Sequence, residues 1–452
     1  MPYLSSNPAT GLVFRSYDNH DSRQIAEIVE SAARAQLDWA ERDCTSRAQV
    51  LARAADLLAE QRDTLAALIT GEMGKLLRES LDEIDKCAAL LRWVAAQAPA
   101  ALADEQVAEG CVVRKAPLGI VLGIMPWNYP FSQVLRYAAS ALVLGNGCLL
   151  KHATNVPQCA LAIERLWLDA GLPPGLFRTL LIEPDEVATL IARPEVQAVA
   201  LTGSEAAGRA VAAVAGKYLK KTVLELGGSD PFVVLHDADL DHVLDRALPA
   251  RFTNCGQSCL SAKRFIVVPE IADAFVAGLA ERIGRLLPGD PFDPQATLAP
   301  MARDDLRLRV RRQVADTVDA GARLVLGGQM LGRAGFFLAP TLLDHVPPAS
   351  PAYADEVFGP VAAVIRAADE LDALRIANDN RFGLGGSVWS RDVERATRMA
   401  CRLKAGYVSV NQPCRSDPRL PLGGVKASGY GREMGLASLH EFANLQSLRI
   451  GR

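Results

Sequence analysis

The segment from residue 111 to 228 constrains the fold most. Short, unbroken apolar runs (two within CVVRKAPLGIVLGI, then GCLLK, LFRTLLI, VQAVALTG and TVLELGG) alternate there with stretches of helical periodicity near 132–143 and 157–170, in DEVATLIA and in SEAAGRAVAAVAG. A strand that is apolar on both sides has to be covered on both faces. Helical crossovers between such strands give a parallel, doubly wound sheet. A second alternating region runs from about 237 to 412, through RFIVVP, ADAFVAGLAERIGRLL, a helix near 303–320, RLVLGG, VAAVIR, ELDALRIAND, GSVWS, RDVERATRMACRL and AGYVSVN. Two α/β units are therefore expected. Ahead of them residues 21–70 read as helices, and a further helix is predicted over about 78–98, limited by Pro99. The tail HEFANLQSLRI reads as a strand leaving the body.

Composition narrows the function classes. The chain has 452 residues, 50% hydrophobic and 22% charged, which is globular rather than disordered. Its 49 basic and 52 acidic residues leave a net charge of −3, with no basic face for nucleic acid and no polybasic run for anionic lipid. Residues 116–135 carry no charge, but Pro117, Pro126 and Pro130 interrupt them, so buried strands and turns are expected rather than a membrane span. The N-terminal MPYLSSNPATGLVF does not read as a signal peptide. Nine scattered cysteines without a CxxC pair suggest a reducing, cytoplasmic setting, no disulfide framework and no metal site.

Four local patterns carry chemistry. The turn Phe252-Thr253-Asn254-Cys255-Gly256-Gln257-Ser258-Cys259 presents two thiols, and a nucleophilic thiolate there needs backbone N–H groups or a nearby base to lower its pKa. Glu225 stands at the end of an apolar strand, where burial raises a carboxyl toward the pKa of a working base. Asn128, flanked by Pro126, Trp127, Tyr129 and Pro130, is rigidly placed to donate its amide to a developing oxyanion. The strand VALTG followed by Ser204 and Gly208 has the strand–turn–helix form that binds phosphate at a helix N-terminus. It nearly matches a nucleoside-triphosphate loop, but Arg209 and Ala210 occupy the lysine and serine/threonine places, which leaves that reading as a weak alternative.

Taken together with Leu150-Lys151, Glu356-Val357-Phe358-Gly359-Pro360 and Pro421-Leu422-Gly423-Gly424-Val425-Lys426, these patterns resemble the aldehyde dehydrogenase superfamily from about residue 5 to the C-terminus. Within it, MPWNYP, LLKHATNVPQ, TVLELGGSDPFVV, NCGQSCLSAKRFIV and GGVKASGYGRE are most similar to the succinate-semialdehyde dehydrogenase branch. The resemblance implies a Rossmann-type NAD(P)-binding domain (1–101 and 118–226), an α/β catalytic domain (227–420) and a small β oligomerisation element (102–117 and 438–452) that would pair its tail strand across subunits of a homodimer or homotetramer.

It also implies roles. Cys259 matches the nucleophile. Asn128 and the Cys259 N–H match the oxyanion hole, and Glu225 matches the base that activates water. Lys151 would hold the adenosine ribose and Glu356 the nicotinamide ribose. Phe358 and Trp127 would pack beside the cofactor, Ser204 would meet the pyrophosphate, and Gly203 would form the tight turn before it. Thr154 stands where NAD-preferring relatives often carry a glutamate, so NADP is expected to serve at least as well as NAD. Arg136 matches a carboxylate-binding arginine, but Thr253 replaces a second one. Asp417 would repel an anionic substrate if it faced the site, and Arg415 could compensate. Cys255 is a candidate partner for Cys259 in a reversible disulfide, against the alternative of an inert packed thiol. Other readings are another short aliphatic aldehyde as substrate, a non-catalytic cofactor-binding relative, and an acylating enzyme using coenzyme A, which Glu225 disfavours.

Overall fold

The structure, a computed structural model, describes residues 3–451; residues 1, 2 and 452, at the outer ends of the expected cofactor and tail segments, lie outside the described residues. It has two main sheets. In the six-stranded sheet, Lys221–Glu225, Val196–Thr202, Ile120–Met125, Gly147–His152 and Phe177–Thr179 lie parallel in that spatial order, and Gly429–Tyr430 adds an antiparallel edge beside Lys221–Glu225. In the seven-stranded sheet, Thr341–Asp344, Val361–Arg366, Ala262–Val267, Asp230–Val234, Gly385–Trp389 and Tyr407–Val410 lie parallel, with Arg323–Leu326 antiparallel at one edge. The central strands are buried on both faces, which is why their sequences read as continuous apolar runs.

Helices cover these faces for local reasons. Ser22–Ala40 starts with a reciprocal cap: Asp21 accepts from the Gln24 N–H, and the Gln24 side chain accepts from the Asp21 N–H. It buries the stripe Ile25, Ile28, Val29, Ala32 and Trp39. The helical region 21–70 breaks at Gln61 into Cys44–Glu60 and Arg62–Met73. The next helix, Leu77–Ala101, runs through Pro99 rather than stopping before it. Pro99 sits in the last turn, so the ring disturbs only the end of the helix and the Leu102 N–H still caps the Ala98 carbonyl.

Other departures are also local. LFRTLLI contributes only Phe177–Thr179 as strand, and DEVATLIA opens with a 3-10 turn over Pro184–Glu186. The hairpin Tyr3–Asn7/Leu12–Tyr17, the strands Asp230–Val234 and Thr341–Asp344 and the helix Leu240–Phe252 were not anticipated. The tail strand Ala443–Arg449 pairs within its own chain, antiparallel to Cys111–Pro117, in a three-stranded sheet completed by Glu105–Ala108. The tail strand therefore has a partner in its own chain along one edge, and its other edge is left unpaired within the chain. Among the described residues no helix is long and apolar enough to cross a membrane.

Arg251 joins the elements that bear the site. Its fully buried guanidinium donates to the carbonyls of Gly256 (3.2 Å), Val357 (2.7 Å), Gly359 and Val361 and to the Ser261 hydroxyl (3.1 Å). Removing it leaves buried carbonyls without donors, each costing about 1–3 kcal/mol. Arg251→Met is expected to destabilise the fold by at least about 3 kcal/mol, read as a lowered urea midpoint; an unchanged midpoint would contradict this role.

Candidate active site

The site forms where the carboxyl ends of the six-stranded sheet face loops at the amino ends of the seven-stranded one. Trp127 and Asn128 follow Ile120–Met125, Gly203 and Ser204 follow Val196–Thr202, and Glu225 closes Lys221–Glu225. From the other side, Cys259 precedes Ala262–Val267, while Glu356 and Phe358 precede Val361–Arg366.

Two cavities meet at Cys259. One, of about 480 Å³, is lined by Trp127, Asn128, Gly203, Ser204, Glu225, Glu356 and Phe358 among others. The other, of about 260 Å³, is lined by Tyr129, Arg136, Thr253, Ser258, Cys414 and Arg415 among others. Cys259 and Gln133 are common to both walls. Cys259 thus lies between a larger cleft and a smaller hollow.

The nucleophile loop is strained and held. Asn254 and Cys255 both have φ of 55°, in the left-handed region, followed by Gly256 at 69°. A β-carbon on Gly256 would strike the Gly359 carbonyl, so glycine is required there by conformation and by space. Lys263 donates to the carbonyls of Ser258 (2.8 Å) and Cys259 (2.6 Å) and lies 3.3 Å from Glu356. Burial pushes the Cys259 thiol up to about 11; Lys263 and Arg136 oppose that shift, and Glu356 and Asp230 add to it. The expectation of a lowered thiol pKa is therefore corrected: desolvation outweighs the nearby cations. Cys255 is buried in the core of the seven-stranded unit with its sulfur 4.0 Å from that of Met301, the arrangement of a packed thiol.

Glu225 is buried and one of its oxygens has no hydrogen-bond partner among the described residues. Burial, then the neighbouring Glu433, hold its carboxyl well above the usual carboxylate range, against the pull of Arg136 and Arg432. Glu433 is itself pushed up to about 7 by burial and lies 3.7 Å from Arg136. Arg136 also donates to the Gln133 side chain at 3.1 Å. The Asn128 amide donates to the Gln257 carbonyl at 3.1 Å, beside the Cys259 loop.

The cleft suits an elongated, phosphate-bearing cofactor. Ser204 caps the helix Glu205–Lys217, so free N–H groups of its first turn face the cleft. The Thr202 hydroxyl and the Gln133 amide nitrogen are buried without partners among the described residues. Trp127 and Phe358 meet edge to face at 5.8 Å on the wall. Glu356 accepts from the Gly228 N–H at 3.1 Å, which fixes its carboxylate at the rim. Gly203 has no left-handed φ, and a β-carbon there would meet only Leu201 at 3.7 Å. A tight turn therefore does not require glycine at this position. Lys151 and Thr154 stand at the end of the neighbouring strand and in the turn after it, off the cleft wall itself, with the Lys151 ammonium 6.0 Å from the Tyr3 ring.

Asp417 pairs with Arg419 at 2.6 Å and lines an outer hollow rather than the 260 Å³ cavity, whereas Arg415 lines both. Three residues of the site were given no role in the sequence reading: Gln133, and Lys263 and Glu433, which lie inside the motifs SCLSAKRFIV and GGVKASGYGRE. Gln133 could have been found as the polar residue one helical turn before Arg136. Glu433 is brought in only by the antiparallel edge Gly429–Tyr430 and the Leu422/Glu433 backbone pair.

The aldehyde dehydrogenase family model matches residues 3–448. The chain belongs to the aldehyde dehydrogenase family. This aldehyde dehydrogenase is 45% identical over 451 residues to the succinate-semialdehyde dehydrogenase (NADP+) of Deinococcus radiodurans, covering 99% of this chain and 94% of that one. It is 44% identical to a probable succinate-semialdehyde dehydrogenase (NADP+) of Synechocystis, over the full length of both. Among solved structures, the succinic semialdehyde dehydrogenase of Streptococcus pyogenes in complex with NADP+ superposes with a TM-score of 0.97 at 36% identity, covering 100% of both chains.

Cys259 is half-buried, yet desolvation leads the rise of its thiol pKa, and that predicts its reactivity. Iodoacetamide alkylation of Cys259 in the resting enzyme, followed by peptide mass spectrometry, is expected to climb with pH and to level off only near 11. Lys263→Met, which removes the leading opposing cation, is expected to shift the curve further up. A plateau at or below the ordinary thiol value of 9.0 would contradict this account.

Proposed function

We propose that this enzyme oxidises succinate semialdehyde to succinate and that NADP serves it at least as well as NAD. The observation that carries the substrate is the 260 Å³ hollow, which runs from Cys259 to the guanidinium groups of Arg136 and Arg415. The acids on its wall already have partners: Glu83 is paired with Lys75, Asp82 with Lys86, and Glu79 accepts from the Asn254 N–H. Arg415, and Arg136 with the donors not used on Gln133 and Glu433, are then the groups to bind the carboxylate of a short chain whose aldehyde reaches the sulfur. The names of the relatives support the same substrate and cofactor. A different short aliphatic aldehyde is the second reading, favoured by Thr253 standing on the wall where an arginine could have been.

In this reading Cys259 releases its thiol proton to water in the cleft, and the thiolate sulfur attacks the aldehyde carbon. The carbonyl oxygen takes up the negative charge and is held by the Asn128 amide and the Cys259 N–H. When bound in the larger cleft, the nicotinamide cofactor supplies the hydride acceptor. Trp127, Phe358, Gly203 and Ser204 would line its place, Glu356 would hold the nicotinamide ribose, and Lys151, beyond the cleft wall, would reach the adenosine ribose. Thr154 presents no carboxylate to repel a 2′-phosphate. Once the carbon is oxidised, Cys259 carries a thioester. Glu225, whose raised pKa makes it a stronger proton acceptor when ionised, takes a proton from water. The water oxygen attacks the thioester carbonyl, the C–S bond breaks, and the carboxylate leaves. Glu225 favours water over coenzyme A as the acyl acceptor.

The three-stranded sheet supports a homodimer or homotetramer. Its outer strands Glu105–Ala108 and Ala443–Arg449 have free edges, and Val107 and Leu445 are exposed on them. The odd, scattered set of nine cysteines supports a reducing, cytoplasmic location.

A panel of aldehydes assayed with both cofactors tests the proposal. Succinate semialdehyde is expected to exceed uncharged aldehydes of similar length in kcat/KM, and NADP to match or exceed NAD at equal concentration. Arg136→Leu should slow all aldehydes through Cys259 and Glu225, and should cost the anionic substrate about tenfold or more in kcat/KM beyond that shared loss. Equal losses for charged and neutral aldehydes, or turnover strongly favouring NAD, would overturn these assignments.

A further inference from the structure

We propose that Lys75 and Asn254, backed by Glu83 and Glu79, are positioning residues that clamp the Asn128 loop against the Cys259 loop and so set the aim of the oxyanion-binding amide. This rests on the reading of Asn128 as the oxyanion donor.

The Asn128 side chain can be aimed only as well as its backbone is fixed, and its carbonyl is gripped from two sides. The Lys75 ammonium donates to it at 3.3 Å and the Asn254 side-chain amide at 2.8 Å. The same Asn254 amide nitrogen reaches the Gln257 carbonyl at 3.2 Å, which is also the acceptor for the Asn128 side chain at 3.1 Å. Asn254 thus ties together the two ends of the arrangement, the backbone of Asn128 and the acceptor that orients its amide.

Both clamping residues are held in turn by one helix. Lys75 lies just before Leu77–Ala101, is wholly buried, pairs with Glu83 and sits 4.1 Å from the centre of the Tyr129 ring. Glu83 uses its other oxygen to accept from the N–H groups of Phe131 and Ser132, both at 2.9 Å, at the start of the helix that carries Gln133 and Arg136. Glu79, one turn earlier, accepts from the Asn254 N–H at 2.9 Å. That bond helps hold Asn254 at its left-handed φ of 55°, a conformation that persists only when its surroundings impose it.

Stability alone does not account for this arrangement. A fully buried ion pair gains little over well-packed apolar residues of the same volume, because desolvation offsets its attraction. What the charges supply here is direction: donors and acceptors at fixed points on the two loops that must stay in register within a fraction of an ångström for oxyanion stabilisation.

The test is a double-mutant comparison. Asn254→Ala and Lys75→Met/Glu83→Gln, the latter removing both charges of the pair, are each made with Asn128 present and in an Asn128→Ala background. Two rates are read: single-turnover formation of reduced cofactor from succinate semialdehyde and NADP, and iodoacetamide alkylation of Cys259. With Asn128 present, each variant is expected to slow the single turnover about tenfold to a hundredfold. In the Asn128→Ala background the further loss is expected to be less than about threefold, because the clamp then has nothing to aim. Alkylation should stay within about twofold throughout, since it does not use the oxyanion site. Equal losses in both backgrounds, or alkylation falling in parallel, would overturn the clamp in favour of general damage, and an unchanged rate with Asn128 present would overturn it outright. Should the paired variant fail to fold, Asn254→Ala, which keeps the ion pair, decides the matter. An Asn128→Ala enzyme of undiminished rate would overturn the oxyanion reading itself, and the clamp with it.

Discussion

Removal of ionisable groups from water, where the two sheets meet, governs the site. A buried charge needs a partner or a set of hydrogen bonds, or it shifts its pKa until it is neutral. The structure uses each outcome. Lys75 and Glu83 neutralise each other, and Arg251 and Arg264 are satisfied by backbone carbonyls. At Cys259 and Glu225 the nearby cations compensate less than burial costs, and both are driven toward their neutral forms. Asp230 and Glu433 nearby are pushed up by burial in the same way, to about 6 and about 7. The paired charges around Cys259 and Glu225 fix the loops on which they stand.

This division explains the two cavities. Gln133 and Cys259 belong to both walls, so the cofactor side and the substrate side are separated by little more than one sulfur and one amide. On the substrate side Arg136 lies between Glu433 and the hollow. The same cation thus moderates the Glu433–Glu225 pair and faces the place proposed for a substrate carboxylate. Under the proposed function, substrate recognition and the protonation of the base would share one guanidinium.

Much of this was legible in the sequence, for physical reasons that also mark where legibility stopped. The continuous apolar runs at Ile120–Met125 and Val196–Thr202 read as buried parallel strands because both faces are covered. Ligands gather at the carboxyl ends of such strands, which located Asn128, Ser204 and Glu225. The other half of the site enters at the amino ends of the second sheet, where no comparable rule applies. Cys259, Glu356 and Phe358 were placed there by motif alone. Glu433 and Asn254 depend on contacts far apart in sequence: an edge of two residues, Gly429–Tyr430, and a bond from Glu79. The thiol pKa could not be read from composition, because the cations near Cys259 are evident in sequence and the degree of desolvation is not. Asp417, a worry in the sequence, proved harmless because Arg419 holds it outside the hollow.

The central claim is that Cys259 carries the acyl group and Glu225 is needed to release it. Rapid quench of Glu225→Gln mixed with succinate semialdehyde and NADP, followed by peptide mass spectrometry, measures this directly. The account predicts a burst of about one reduced cofactor per site and a stable acyl adduct on the Cys259 peptide, while the unmodified enzyme turns over without accumulating it. Full turnover by Glu225→Gln with no adduct, or an adduct on any other residue, would contradict it.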